Sequence, residues 1–196
     1  MKDIVLVTGT WGTKEANNWH NISSPWVKQM EQEGLQKLTN EEPFYWSSNL
    51  DGWFGDNYDW KAAGYALKWY IKAHTNKPPC IFGHSHALQV IAEAAKAGAI
   101  FDNVVTVAGP VRDGMAGAYE QLCLQSKNWM QVYSDEVDYI QWLGSMRPGL
   151  FLTPWKFKRY SKWSHIKNYI PSTSHSNLLD FNTLKVYGVF KFLRGE

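Results

Sequence analysis

Four short apolar runs, each closed by a loop of small residues, constrain this chain most. Ile4–Val7 stops at Thr8-Gly9-Thr10-Trp11-Gly12, and Cys80-Ile81-Phe82 stops at Gly83-His84-Ser85-His86-Ala87. Val104–Val107 stops at Ala108-Gly109-Pro110, and Met130–Tyr133 at Ser134-Asp135. Runs this short, apolar without alternation, read as strands buried on both faces. Helical patterns separate them. Ser24 and Pro25 form a start signal ahead of Trp26, Val27 and Met30, with Gly34 as the stop. Trp60, Ala63, Leu67, Tyr70 and Ile71 make one stripe over Tyr58–His74. Leu88–Ala97 is a small-residue helix stopped by Gly98, and Tyr119–Gln125 lies in another. Phe44-Tyr45-Trp46 is a candidate second strand, Ile166–Ile170 a candidate last strand, and Leu178–Leu193 a closing amphipathic helix. Strand and helix in alternation predict an α/β fold: a three-layer sandwich whose mostly parallel central sheet has about five to six strands.

Composition sets the scale. The chain has 196 residues, 44% of them apolar, which predicts one domain over residues 1–196 with a core of its own. Twenty basic against 18 acidic residues give a formal charge of +2, which argues against a disordered chain and against a nucleic-acid binder. No apolar run reaches the roughly 18 residues of a membrane span, and the N-terminal run is too short for a signal peptide. A cytoplasmic location is the expectation. Cys80 and Cys123 are expected as reduced, buried thiols. The 11 tryptophans exceed ordinary core needs and suggest aromatic residues around a groove.

Gly83-His84-Ser85-His86-Ala87 carries the chemistry. It follows a strand and opens a helix, the context of a nucleophile elbow. A serine there sits on a tight, strained turn at the carboxyl end of the strand. Small flanking residues let strand and helix approach. The amide of His86 then points toward the space the Ser85 hydroxyl faces and supplies one oxyanion donor. His84 and His86 form an H-x-H pair, but on such a turn they face different ways, and no third ligand stands at zinc-like spacing. The glycines after the first strand fit neither a Walker nor a dinucleotide pattern. Neither a metal nor a cofactor is expected.

This elbow, the Val7-Thr8-Gly9-Thr10-Trp11 strand and loop, and an order of serine, acid, then histidine resemble the α/β-hydrolase fold over nearly the whole chain. The last elbow glycine is replaced by Ala87, and the family's two leading strands are absent, so the resemblance is to a minimal, esterase- or lipase-like member. It implies an acid after Met130–Tyr133, with Asp138 preferred and Asp135 the alternative. It implies His175, ahead of the last helix, as base. His165, at the start of the candidate last strand, is the lesser choice. It implies a second oxyanion amide from Thr10, or else Trp11. No Asp or Glu occurs between Tyr139 and Leu179, a stretch rich in lysine, arginine and aromatic residues. In this fold such a segment forms a cap or pocket wall, here 139–170, with Trp142 and Trp155 as candidate substrate contacts. The implied activity is a serine hydrolase cleaving a carboxylic ester, with a small-molecule or lipid-like ester as substrate, anionic or aromatic in character. The alternative is a non-catalytic binding module that uses the 139–170 segment.

Overall fold

The computed structural model describes residues 1–9, 19–38, 44, 46, 58–134 and 161–196, with 58 and 59 by backbone alone. Among the described residues the elements, in chain order, are β1 (Lys2–Val7), α1 (Pro25–Gln32), β2 (Leu35–Lys37), α2 (Tyr58–His74), β3 (Cys80–His84), α3 (Ala87–Lys96), β4 (Phe101–Val107), α4 (Ala116–Gln125), β5 (Ser126–Tyr133), β6 (Ile166–Tyr169), α5 (Phe181–Val186) and α6 (Val189–Arg194). Two 3₁₀ turns, Asp113–Met115 and Asn177–Leu179, precede α4 and α5.

The six strands form one parallel sheet in the order β2-β1-β3-β4-β5-β6. Alternate residues of the central strands serve opposite faces. Val5, Val7, Ile81, Val104 and Trp129 pack under α2, α3 and α4. Ile4, Leu6, Phe82, Val105, Val107 and Val132 pack under α1, α5 and α6. The result is a three-layer α/β sandwich, with both faces covered as a parallel sheet requires. Helix α3 lies deepest: Ala87 through Ala95 are all buried, because its alanines let α2 and α4 close over it. At Gly64 of α2 a Cβ would come within 2.7 Å of Glu93 Cβ and 2.8 Å of the Ala94 nitrogen, so only glycine admits this helix contact. The buried Trp129 indole donates to Thr106 Oγ1 at 3.0 Å, so its polar atom is satisfied.

Two expected elements differ. The second strand is Leu35–Lys37, while Phe44 and Trp46 are buried residues outside any strand that pack in the α2–α3 core. Gly34 takes a φ of +80°, ends α1 and turns the chain straight into an edge strand. That strand has only three residues, of which the middle one is exposed, so it leaves no apolar run to read. The closing helix is also not continuous. Asp180 caps α5, its carboxylate accepting from the Thr183 amide at 2.8 Å, and Gly188 at φ +74° separates α5 from α6. Cys80 is free and buried, whereas Cys123 is free but only half-buried, against His165. Residues 166–169 of the expected cap segment are β6 of the sheet. No helix among the described residues is long and apolar enough to cross a membrane.

Candidate active site

From β1 the chain steps outward to β2, then returns past β1 to β3 and continues the other way. The crossovers leaving β1 and β3 therefore part to opposite sides. Such a reversal opens a crevice at the carboxyl ends of the two strands, where ligands of open α/β sheets bind. The loop after β1 carries Gly9, and the turn after β3 carries Ser85.

Ser85 has φ +58°, a left-handed backbone that costs a residue with a side chain free energy. The turn is held from both sides. The Ser85 amide donates to the Val107 carbonyl of β4 at 2.8 Å, and the Ser85 carbonyl accepts from Leu88 in the first turn of α3. Small residues make room for it. A Cβ on Gly83 would sit 2.5 Å from Ile91 Cδ1 and 3.0 Å from Ala87 Cβ, so strand and helix are in contact here. Ser85 is 7% exposed. It stands at the amino end of α3, where the helix dipole favours negative charge.

The β1 loop closes against the serine. A Cβ on Gly9 would lie 2.7 Å from Ser85 Cβ, 2.8 Å from the His84 carbonyl oxygen and 3.3 Å from Ser85 Oγ. Only a glycine backbone fits there. Thr8, just before it, is buried, and its carbonyl accepts from the Trp46 indole at 2.7 Å. Part of the tryptophan surplus thus anchors this loop. Trp19 packs instead on Trp26 and Phe82 in the opposite layer.

His175 lies on the turn after β6, between Ser172 (φ +48°) and the 3₁₀ turn before α5, and is 8% exposed. The Thr173 amide donates to Ser134 Oγ at 3.0 Å, fixing this turn to the carboxyl end of β5. The His175 ring packs on the His84 ring, centroids 4.7 Å apart. His84 Nε2 stands 3.4 Å from the His175 carbonyl oxygen. Burial, and then the neighbouring His175, push His84 down to about 3. His84 is therefore neutral at ordinary pH, and Nε2 must carry its proton to donate to that carbonyl. The residue before the serine thus holds the backbone of the histidine loop. Nothing in the sequence signals this link across 91 positions.

His86 is buried at the start of α3, its ring 5.7 Å from the Trp60 ring of α2. The Arg112 guanidinium lies over the same indole at 4.3 Å. The two histidines flanking Ser85 thus pack on different partners. His165 stands at the opposite end of the sheet: Nδ1 accepts from the Trp129 amide at 2.8 Å and Nε2 meets Cys123 Sγ at 3.3 Å. Thr10, Trp11, Asp135, Asp138, Trp142 and Trp155 lie outside the described residues. The structure therefore brings Gly9, His84, Ser85, His86 and His175 to one edge of the sheet.

No protein-family model matches this sequence, and no curated protein matches it.

Proposed function

We propose that the chain is a serine hydrolase that cleaves a carboxylic ester. The observation that carries the reading is Ser85 at φ +58° between β3 and α3, with the Gly9 backbone against its hydroxyl. Backbone strain of this kind clusters at functional sites, and here it lies at the carboxyl end of β3. The strand order is that of a doubly wound parallel sheet and is compatible with this reading. The same order sets the serine beside the crevice between β1 and β3.

In the mechanism, Ser85 Oγ attacks the ester carbonyl carbon and His175 takes its proton. The carbonyl oxygen becomes an oxyanion, held by the amides of His86 and of Thr10 or Trp11. The tetrahedral adduct collapses, the carbon–oxygen bond to the alcohol breaks, and the proton on His175 goes to that alcohol. Water repeats the sequence on the acyl-enzyme and restores Ser85. Asp138, or else Asp135, is the proposed partner of the imidazole. Trp142 and Trp155 are the proposed substrate contacts.

The test is hydrolysis of p-nitrophenyl esters of increasing acyl length by wild type, Ser85→Ala and His175→Ala. The reading expects turnover by wild type and a loss of roughly a thousandfold or more in each variant. Turnover that survives Ser85→Ala in a folded protein would sink it.

A further inference from the structure

Helix α2 is amphipathic on its inner side and carries a second pattern on its outer side. Trp60, Ala63, Leu67 and Ile71 are buried in the core. On the opposite face Tyr65 is 56% exposed and Trp69 57% exposed. They are four residues apart, one helical turn, and so adjacent on the surface. Ala62, Ala66 and Ala73 are exposed around them, which makes the strip smooth and continuous. Lysines border it. Lys61 and Lys72 are exposed, and Lys72 Nζ lies 4.9 Å from the centre of the Trp69 ring. Lys68 is half-buried, its amine donating to the Ala97 carbonyl at 2.7 Å and lying 5.8 Å from the same ring. Between Trp60 and Ala92 the sequence holds no Asp or Glu. The strip is thus apolar at its centre with lysines along one edge, and Asp59 is the single acidic residue in the sequence of α2.

We propose that this outer face of α2 docks the protein on anionic lipid bilayers. Trp and Tyr partition to the headgroup boundary, where the ring is buried and its polar atom stays wet. Lysine stems lie along the apolar strip while their amines reach outward to the headgroups. Negative headgroups complement the lysines along that edge. The shape fits as well. A helix of 17 residues, about 25 Å long, carries these aromatic anchors with Ala66 between them. Anchors set along one helix face suit a soft planar surface. The helix lies flat on the lipid, an interfacial mode distinct from spanning. The inference is independent of the hydrolase reading.

The test is co-sedimentation of the full chain with vesicles of phosphatidylcholine, with and without phosphatidylserine. We expect binding to the vesicles that contain phosphatidylserine and little to the neutral ones. Lys61→Glu with Lys72→Glu should weaken that binding about tenfold or more, and Tyr65→Ala with Trp69→Ala should weaken it similarly. The same charge change at exposed Lys28 and Lys191, on α1 and α6 across the sheet from α2, should leave most of it, and so should Ser85→Ala. Unfolding curves for each variant confirm that it folds. No binding to either vesicle, equal binding to both, or binding unmoved by the α2 variants would overturn the proposal. So would binding lost equally with the Lys28 and Lys191 pair, which would show net charge alone at work. An oligonucleotide bound through Lys61 and Lys72 while vesicles are ignored would assign the face to nucleic acid instead and overturn it too.

Discussion

Ser85 keeps a left-handed backbone although it carries a side chain, and that cost is testable. Ser85→Ala retains the strain, whereas Ser85→Gly relieves it. Chemical denaturation should find Ser85→Gly more stable than Ser85→Ala by about 1 kcal/mol, a reversal of the usual penalty for glycine. His84 gives a second residue-scale prediction. It is a positioning residue, since its ring donates to the His175 carbonyl and stays clear of the reacting atoms in the proposed mechanism. His84→Phe should lower kcat roughly tenfold with little change in KM, and His84→Gln, which restores a donor, should recover part of the loss. A merely structural role would lower both variants in step with their stability. At this scale the sequence was readable where a motif has a fixed local geometry, as in the strained turn at Ser85. It was silent on His84 because the contact depends on a loop far along the chain.

At the scale of elements, the candidate site is a meeting of three strand ends, and the tightest meeting is that of the β1 loop with the elbow. Gly9→Ala would press a methyl against Ser85 Cβ and the His84 carbonyl, both part of a turn already held from two sides. The loop or the elbow must give way. Thermal unfolding should show a loss of about 1–3 kcal/mol, and ester turnover should fall further than that loss accounts for. Elements were legible when apolar runs met clear punctuation. The β1 run stops at the Gly9 loop, the β3 run meets Gly83 near its end, and α2 has its stripe and stops before Pro78. The edge strand β2 was not legible, because three residues with one exposed carry no period. The closing helix was over-read, because Leu178 to Leu193 keeps its apolar spacing across the cap at Asp180 and the glycine at 188.

Across the whole molecule, two histidines couple folding to pH, His20 buried and His84 half-buried. Burial, with Lys37 nearby as the lesser cause, holds His20 at about 4, below the ordinary 6.5. His84 is held at about 3 by burial and then by His175. An unfolded chain binds protons on both rings below about 6.5, and the folded chain does not until much lower pH. Their contribution to stability is therefore fully present above pH 6.5 and is lost as pH falls from 6.5 toward 4 and 3. Denaturation midpoints should be flat from pH 7 to 8 with respect to these groups and drop steadily between about pH 6.5 and 4. Replacing His20 with Phe, which cannot protonate, should flatten part of that slope. The layer order of the sandwich was legible from strand and helix alternation, because a parallel sheet must be covered on both faces. Which residues meet across the crevice was not legible, because strand order sets it and the sequence does not display strand order.

The central claim is that Ser85 is an activated nucleophile. Intact-mass measurement after exposure to a fluorophosphonate probe tests it most directly, because the probe reports the nucleophile without knowledge of the substrate. The account predicts a single covalent adduct on wild type that maps to Ser85, slows in His175→Ala and is absent in Ser85→Ala. A folded wild-type chain that stays unlabelled, or an adduct that persists in Ser85→Ala, would contradict it and leave a binding module on the same fold as the better description.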